Sequence, residues 1–244
     1  MKKTRLDIYL VEKRHCESRS LAQRLIMAGD VLVNGQTAMK PSDMILDGDE
    51  VMVKEPAKYV SRGGEKLDAA LIAFRLLNLR GKICADVGSS TGGFTDCLLQ
   101  RGAEKVYAID VGYGLLHWRL RNNPKIIVLE KTNARFVEKL PEPLDIVTID
   151  ASFISLKTLL PQVKRWMNSQ GKVVALIKPQ FEAGRELVAK GRGVIRDANV
   201  HENVVNGIID FSVKNGYKNN GFIESPIIGP KGNKEFLIYL EINE

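Results

Sequence analysis

Cysteine and histidine are scarce in this chain. The 244 residues hold three of each, Cys16, Cys84 and Cys97 beside His15, His117 and His201, widely scattered and without a C-x-x-C pair. That spacing excludes a disulfide framework, argues against a zinc site and fits reduced thiols, so no metal is expected. Long apolar runs are also missing: none approaches the roughly 18–20 residues needed to cross a bilayer. Asp7, Glu12 and Lys13 interrupt any apolar stretch behind the basic start, so neither a membrane span nor a signal peptide is expected, and a cytoplasmic location is. Two glycine patterns are absent as well. There is no G-x-G-x-x-G and no glycine-rich loop ending in Lys-Ser/Thr, which counts against dinucleotide and triphosphate sites.

What is present is a globular composition, 44% hydrophobic and 27% charged, with a net charge of +7. The excess of positive charge makes a polyanionic partner plausible. The chain reads as a small α-then-β unit followed by a larger α/β unit. In the first, Leu6, Tyr9 and Leu10 keep helical spacing, Ser18 or Ser20 can cap a second helix whose apolar side is Leu21, Leu25 and Ile26, and Gly29 ends it. Val31 and Val33 then alternate, Asn34-Gly35 signals a tight hairpin, and Asp47-Gly48-Asp49 leads into Val51-Met52-Val53. Up to Arg24 basic residues outnumber acidic ones, and a basic helical face beside a hairpin suits a phosphate backbone as well as it suits plain solvation.

Residues 55–64, with Pro56, Gly63 and Gly64, have linker composition, and a helix is expected from Glu65 to Leu77 with Lys66 near its start. Beyond it the pattern is β-α-β throughout. Strands are expected at 82–85, 105–109, 126–129, 145–149 and 172–177, giving a doubly wound parallel sheet, and 221–224 with 236–242 form an antiparallel pair at its edge. The stretch Asp86-Val87-Gly88-Ser89-Ser90-Thr91-Gly92-Gly93-Phe94 falls at a strand-to-helix turn, with the helix starting about Thr95. Glycines there admit positive φ and a close ligand, free N–H groups and hydroxyls supply donors, and the acidic lead residue fits S-adenosylmethionine (SAM) better than a dinucleotide. Asp110, about 20 residues on, suits ribose hydroxyls. Asp86, Asp110, Asp150 and Lys178 all fall at strand ends, the rim where open α/β sheets bind ligands.

Two resemblances cover nearly the whole chain. Arg5-Leu6-Asp7 with Leu10, Ser18-Arg19 with Ala22, Ile26-x-x-Gly29-x-Val31-x-Val33-Asn34-Gly35, Lys40-Pro41 and Gly48-Asp49-x-Val51 resemble the small RNA-binding module of the ribosomal-protein S4 type, also called the alpha-L motif. Ser61-Arg62-Gly63-Gly64-Glu65-Lys66-Leu67, Asp86-x-Gly88 with Gly92-Gly93-Phe94, Asp150, Lys178-Pro179-Gln180-Phe181-Glu182 and Asn233-Lys234-Glu235-Phe236 resemble the FtsJ-like ribose methyltransferases. Together they resemble the TlyA family of ribosomal-RNA 2′-O-methyltransferases, often labelled hemolysins.

The resemblance implies an alpha-L RNA-binding domain over 1–54, a linker over 55–64 and a Rossmann-like, SAM-dependent methyltransferase domain over 65–244. It implies SAM as cofactor, ribosomal RNA or ribosomal subunits as partner, and cytidine as target. Its catalytic set falls on Lys66, Asp150, Lys178 and Glu235, with Lys178 taking the proton of the ribose hydroxyl. The cofactor set falls on Asp86, Gly88, Ser89, Ser90, Gly92, Gly93, Phe94, Asp110, Asn133 and Asp150, and the RNA contacts on Arg5, Arg19, Arg24 and Arg62. Asn133 stands where FtsJ relatives more often have Asp. Rival readings are an RNA-binding assembly protein with an inactive second domain, a membrane-lytic protein, and a nicotinamide-dependent reductase.

Overall fold

The computed structural model describes residues 3–54 and 57–243. They form two compact units that divide between Ala57 and Lys58. The first holds β1 (Lys3–Arg5), α1 (Leu6–Glu12), α2 (Arg19–Met27), β2 (Val31–Val33), β3 (Gln36–Thr37), β4 (Met44–Leu46) and β5 (Val51–Val53). Ser18 caps α2, its hydroxyl accepting from the Leu21 N–H at 3.3 Å. Asn34 and Gly35 both take positive φ, 51° and 77°, and close the β2–β3 hairpin; β5 pairs with the other side of β2, and β1 with β4. The core is Leu6, Leu10, Ala22, Ile26, Val31, Ala38 and Ile45. On α2, Ile26 is buried as expected, together with Ala22, while Leu21 and Leu25 are only half-buried.

The second unit holds α3 (Gly63–Ala73), β6 (Ile83–Val87), α4 (Gly93–Gln100), β7 (Lys105–Ile109), α5 (Trp118–Arg121), β8 (Ile126–Leu129), β9 (Leu144–Ile149), α6 (Leu156–Lys164), β10 (Met167–Ile177), α7 (Pro179–Glu182), α8 (Arg185–Lys190), α9 (Ala198–Lys214), β11 (Tyr217–Glu224) and β12 (Phe236–Ile242). Seven strands make one sheet in the order β11-β12-β10-β9-β6-β7-β8. The five strands from β10 to β8 run parallel, and β12 is antiparallel to both β10 and β11, as the sequence pattern predicts. Apolar clusters fill both faces, one around Val147, Val173 and Leu160, the other around Leu71, Leu98 and Val174. This is the doubly wound layering of a methyltransferase-type sheet.

Several expected boundaries move. Glu55 and Pro56 of the expected linker lie outside the described residues, and its remainder from Lys58 packs into the second unit. Tyr59 is 2% exposed, the Val60 N–H donates to Asp96 at 2.9 Å, and Gly63 and Gly64 already belong to α3. Gly64 serves close packing: a Cβ there would come within 2.6 Å of the Tyr59 ring. The helix α3 stops at Ala73 rather than Leu77, because Arg75 turns left-handed at φ 58° and the Leu76 N–H closes back onto Leu71 O at 2.8 Å. Strand β6 continues through Asp86 and Val87, two residues past the expected end, and β10 begins at Met167 rather than at residue 172.

Candidate functional site

The register of three neighbouring strands assembles the polar centre. β10 pairs with β9 up to Ala175↔Ile149 and with β12 through Ile177↔Phe236, so Asp150, Lys178 and Glu235 leave the sheet at one end. Lys66, in the first turns of α3, reaches the same place from above. The Lys66 ammonium lies 2.6 Å from Glu235 Oε2, and the Lys178 ammonium 2.6 Å from Asp150 Oδ1 and 3.0 Å from the Ser152 hydroxyl. Lys66 and Lys178 are 9% and 8% exposed and Glu235 1%. Two ammoniums and two carboxylates thus neutralise one another, three of them buried and Asp150 partly exposed, and each buried charge requires its partner. Among the described residues, Glu235 Oε1 is buried without a hydrogen-bond partner. Ser152 carried no sequence signal beyond its place two residues past Asp150.

The glycine-rich turn lies beside this centre. The Gly88 N–H donates to Ile109 O at 2.8 Å, Gly88 has φ 84°, and a Cβ there would lie 2.6 Å from Asp150 O. Asp110 accepts from the Ser90 N–H at 2.8 Å and the Gly112 N–H at 2.7 Å, so one carboxylate holds two loops in place. Gly88, Ser90, Asp110, Asn133 and Asp150, with Val87, Ile109 and Leu115, line a cavity of about 570 Å³. A smaller one of about 260 Å³ adjoins it between Arg62, Lys66, Ser89, Gly93, Phe94 and Asp150. Asn133 also caps a short turn, accepting from the Arg135 N–H at 3.1 Å.

Two expected cofactor residues face elsewhere. Asp86 lines neither cavity. Because β6 runs on past it, its side chain is fully buried, accepting from the Thr95 hydroxyl at 2.6 Å and, at 3.4 Å, from that of Thr148. Burial pushes its carboxyl up to about 7, with nearby Asp150 adding to the effect. Gly92, at φ 97°, faces the Leu116 and Leu120 side chains, the first of which a Cβ would meet at 2.8 Å. Both residues shape the turn from behind.

A third cavity of about 940 Å³ opens on the other side of Lys178 and Glu235, walled by Ser152, Phe153, Phe181, Val188, Arg192 and Lys231. Phe153 stands 91% exposed at its edge. In the first unit, Arg5 and Arg19 converge on Asp7, which is fully buried: Arg5 bonds it through Nε and Nη2 at 3.1 and 3.0 Å, and Arg19 through Nε at 2.9 Å. Gln23 adds a fourth donor at 3.0 Å. Arg24 is exposed on α2, and Arg62 is exposed beside Lys66. Among the described residues no group of three or more His, Cys, Asp or Glu is arranged to hold a metal, and no helix is long and apolar enough to cross a membrane.

The FtsJ-like methyltransferase family matches residues 59–242. The chain belongs to that family. The S4 domain matches residues 4–51. A relative from Bacillus subtilis, named as the rRNA methyltransferase YqxC, is 47% identical over 98% of this chain and 86% of its own length. The 16S/23S rRNA (cytidine-2′-O)-methyltransferase TlyA of Mycobacterium tuberculosis is 41% identical over 98% of this chain and 90% of its own. A solved structure from Streptococcus thermophilus, named for hemolysin, superposes with a TM-score of 0.76 at 42% identity, covering 100% of this chain and 90% of that one. The FtsJ-like unit thus carries the tetrad and the three cavities beside it, and an S4 domain precedes it.

Proposed function

We propose that the protein transfers a methyl group from SAM to a ribose 2′-hydroxyl of ribosomal RNA, at cytidine, in the cytoplasm. The observation that carries this reading is the paired tetrad Lys66–Glu235 and Lys178–Asp150, set between the glycine-rich cavity and the large cavity beyond it. The residues of the first cavity suit the donor. Gly88 leaves room where a side chain would collide, Asp110 offers a carboxylate for ribose hydroxyls, and Val87, Ile109 and Leu115 give the apolar wall a nucleoside needs. When bound there, SAM supplies an electrophilic methyl carbon.

The chain's own groups do the rest. A 2′-hydroxyl is a weak nucleophile and must be held in line with its target, so positioning and removal of one proton are the two needs. Lys178 Nζ takes that proton as the neutral amine and is left as the ammonium that pairs with Asp150, while the ribose oxygen forms its bond to the methyl carbon as the carbon–sulfur bond breaks. Asp150 and Ser152 fix the position of Lys178, and Lys66 with Glu235 keeps the surroundings neutral as the charge moves. Arg5, Arg19 and Arg24 of the S4 domain and Arg62 beside Lys66 hold the RNA.

Replacement of Lys178 by Ala is expected to leave SAM affinity intact and to slow methyl transfer from labelled SAM to ribosomal RNA by roughly 10²–10⁴-fold, the usual contribution of a positioned proton acceptor. Transfer at the wild-type rate by that variant would remove Lys178 from the mechanism. Absence of transfer by the wild-type protein to any ribosomal RNA or subunit would remove the activity itself.

A further inference from the structure

The wall of the large cavity contains an arrangement that the tetrad does not use. Arg192 and Lys231 both line it, both are exposed, and neither has an acidic partner among the described residues. Each stands in a left-handed backbone conformation, at φ 51° and 59°, and each is followed by a glycine that is left-handed too, Gly193 at 85° and Gly232 at 87°. Such φ values are uncommon for side chains as long as these, and they persist only where neighbouring structure enforces them.

Arg192 is the left-handed cap of α8, with the Gly193 N–H on Val188 O at 2.8 Å and the Arg192 N–H on Ala189 O at 3.0 Å, and one residue then ties this turn to the other. Asn233 is 3% exposed; its amide donates to Gly193 O at 3.0 Å, its side-chain oxygen accepts from the Ile195 N–H at 3.0 Å, and its backbone carbonyl accepts from the Gly229 N–H at 2.8 Å. The turn at 191–195 and the turn at 229–232 are therefore tied to a single asparagine. Two residues further along the chain is Glu235, whose carboxylate holds Lys66.

We infer that Arg192 and Lys231 are a two-pronged clamp for the phosphodiesters flanking the methylated ribose, with Asn233 as its positioning residue. The inference rests on the RNA-methylating reading of the same site and names its substrate grip. Cations held on rigid turns beside a deep cavity suit a polyanion that must enter in one register, since phosphate contacts fix orientation while leaving sequence to other groups. Arg offers a planar fork and Lys a point charge, both of which bind phosphate. Asn233 sets both turns relative to Glu235, so a strand gripped by the clamp is registered against the tetrad.

The test is methyl transfer to ribosomal subunits together with filter binding of ribosomal RNA over a salt series. For Arg192→Ala with Lys231→Ala, KM for RNA is expected to rise about tenfold or more with kcat and SAM affinity little changed, and the plot of log affinity against log salt to become shallower by about 1.4, two phosphates at about 0.7 each for a single strand. The charge-keeping pair Arg192→Lys with Lys231→Arg is expected to stay close to wild type, which separates lost charge from a disturbed fold. An unchanged KM and salt slope in the alanine pair would overturn the clamp while wild-type transfer leaves the methylation reading standing. Wild-type protein that transfers no methyl group sinks that reading instead, and the filter-binding arm still decides the clamp.

Discussion

Asp86 carries the least expected chemistry of any single residue in the chain. Its carboxyl, wholly enclosed behind the glycine-rich turn, is pushed by burial from 3.8 up to about 7. Between about pH 4 and 7 the folded protein therefore keeps a proton that the unfolded chain has released, and this group's contribution to stability declines as pH rises through that window. Asp86→Asn keeps an acceptor for the Thr95 hydroxyl but cannot ionise. Its melting temperature should consequently fall less than that of the wild type between pH 5 and pH 7.5, as followed by thermal unfolding at the two values. Equal falls in both proteins would mean that Asp86 is ionised throughout. The sequence marked Asp86 as important through its place before Gly88, but it could not say which way the side chain points. Orientation depended on two further residues of strand, which only pairing with β7 and β9 supplies.

Among the elements, the glycine-rich turn between β6 and α4 lies close against Asp150. Gly88→Ala would combine a strained φ with a Cβ 2.6 Å from Asp150 O, and neither backbone can retreat without moving a member of the tetrad. A cost of about 1–3 kcal/mol in stability is expected from the backbone strain alone, and SAM binding measured by calorimetry should weaken at least as sharply as Tm falls. Retained affinity in that variant would show that the turn has slack. The parallel strands and their order of appearance were readable because Val, Ile and Leu runs alternate with helical spacing. Helix ends were less so: α3 closes on Arg75, a left-handed residue where the pattern offers no glycine, and α3 begins with Gly63 and Gly64, of which Gly64 packs against Tyr59 although the pair resembles linker composition in one dimension. Asp150 and Lys178 were readable as strand-end residues on one rim, but Lys66 and Glu235, and the pairing of all four, only through family resemblance. Lys66, Asp150, Lys178 and Glu235 are spread over most of the second unit, and spacing alone carries no hint that their side chains meet.

At the scale of the whole molecule, two units with separate cores divide the labour, and a change in one should leave the other's affinity alone. Asp7 tests this. It is enclosed by Arg5, Arg19 and Gln23, and the Arg5 bond, the largest effect, holds its carboxyl well below the usual carboxylate range. That stabilisation is present above about pH 4 and is lost as pH falls toward the lowered value. Asp7→Ala should cost the S4 domain about 1–3 kcal/mol, as loss of hydrogen bonds to a charged group does. It frees Arg5 and Arg19 from fixed positions, so KM for ribosomal RNA should rise while SAM affinity, measured on the same sample, stays at the wild-type value. A fall in SAM affinity would mean that the two units do not act separately.

The Lys66–Glu235 pair joins residues 169 positions apart in the chain. A protein emerging from a ribosome can form its S4 domain early, and most of the methyltransferase sheet well before synthesis ends, but Lys66 has no counter-ion until Glu235 has emerged and β12 has inserted between β10 and β11. Chain order thus acts as a timer. An unfinished copy that ends short of residue 235 therefore has an open tetrad.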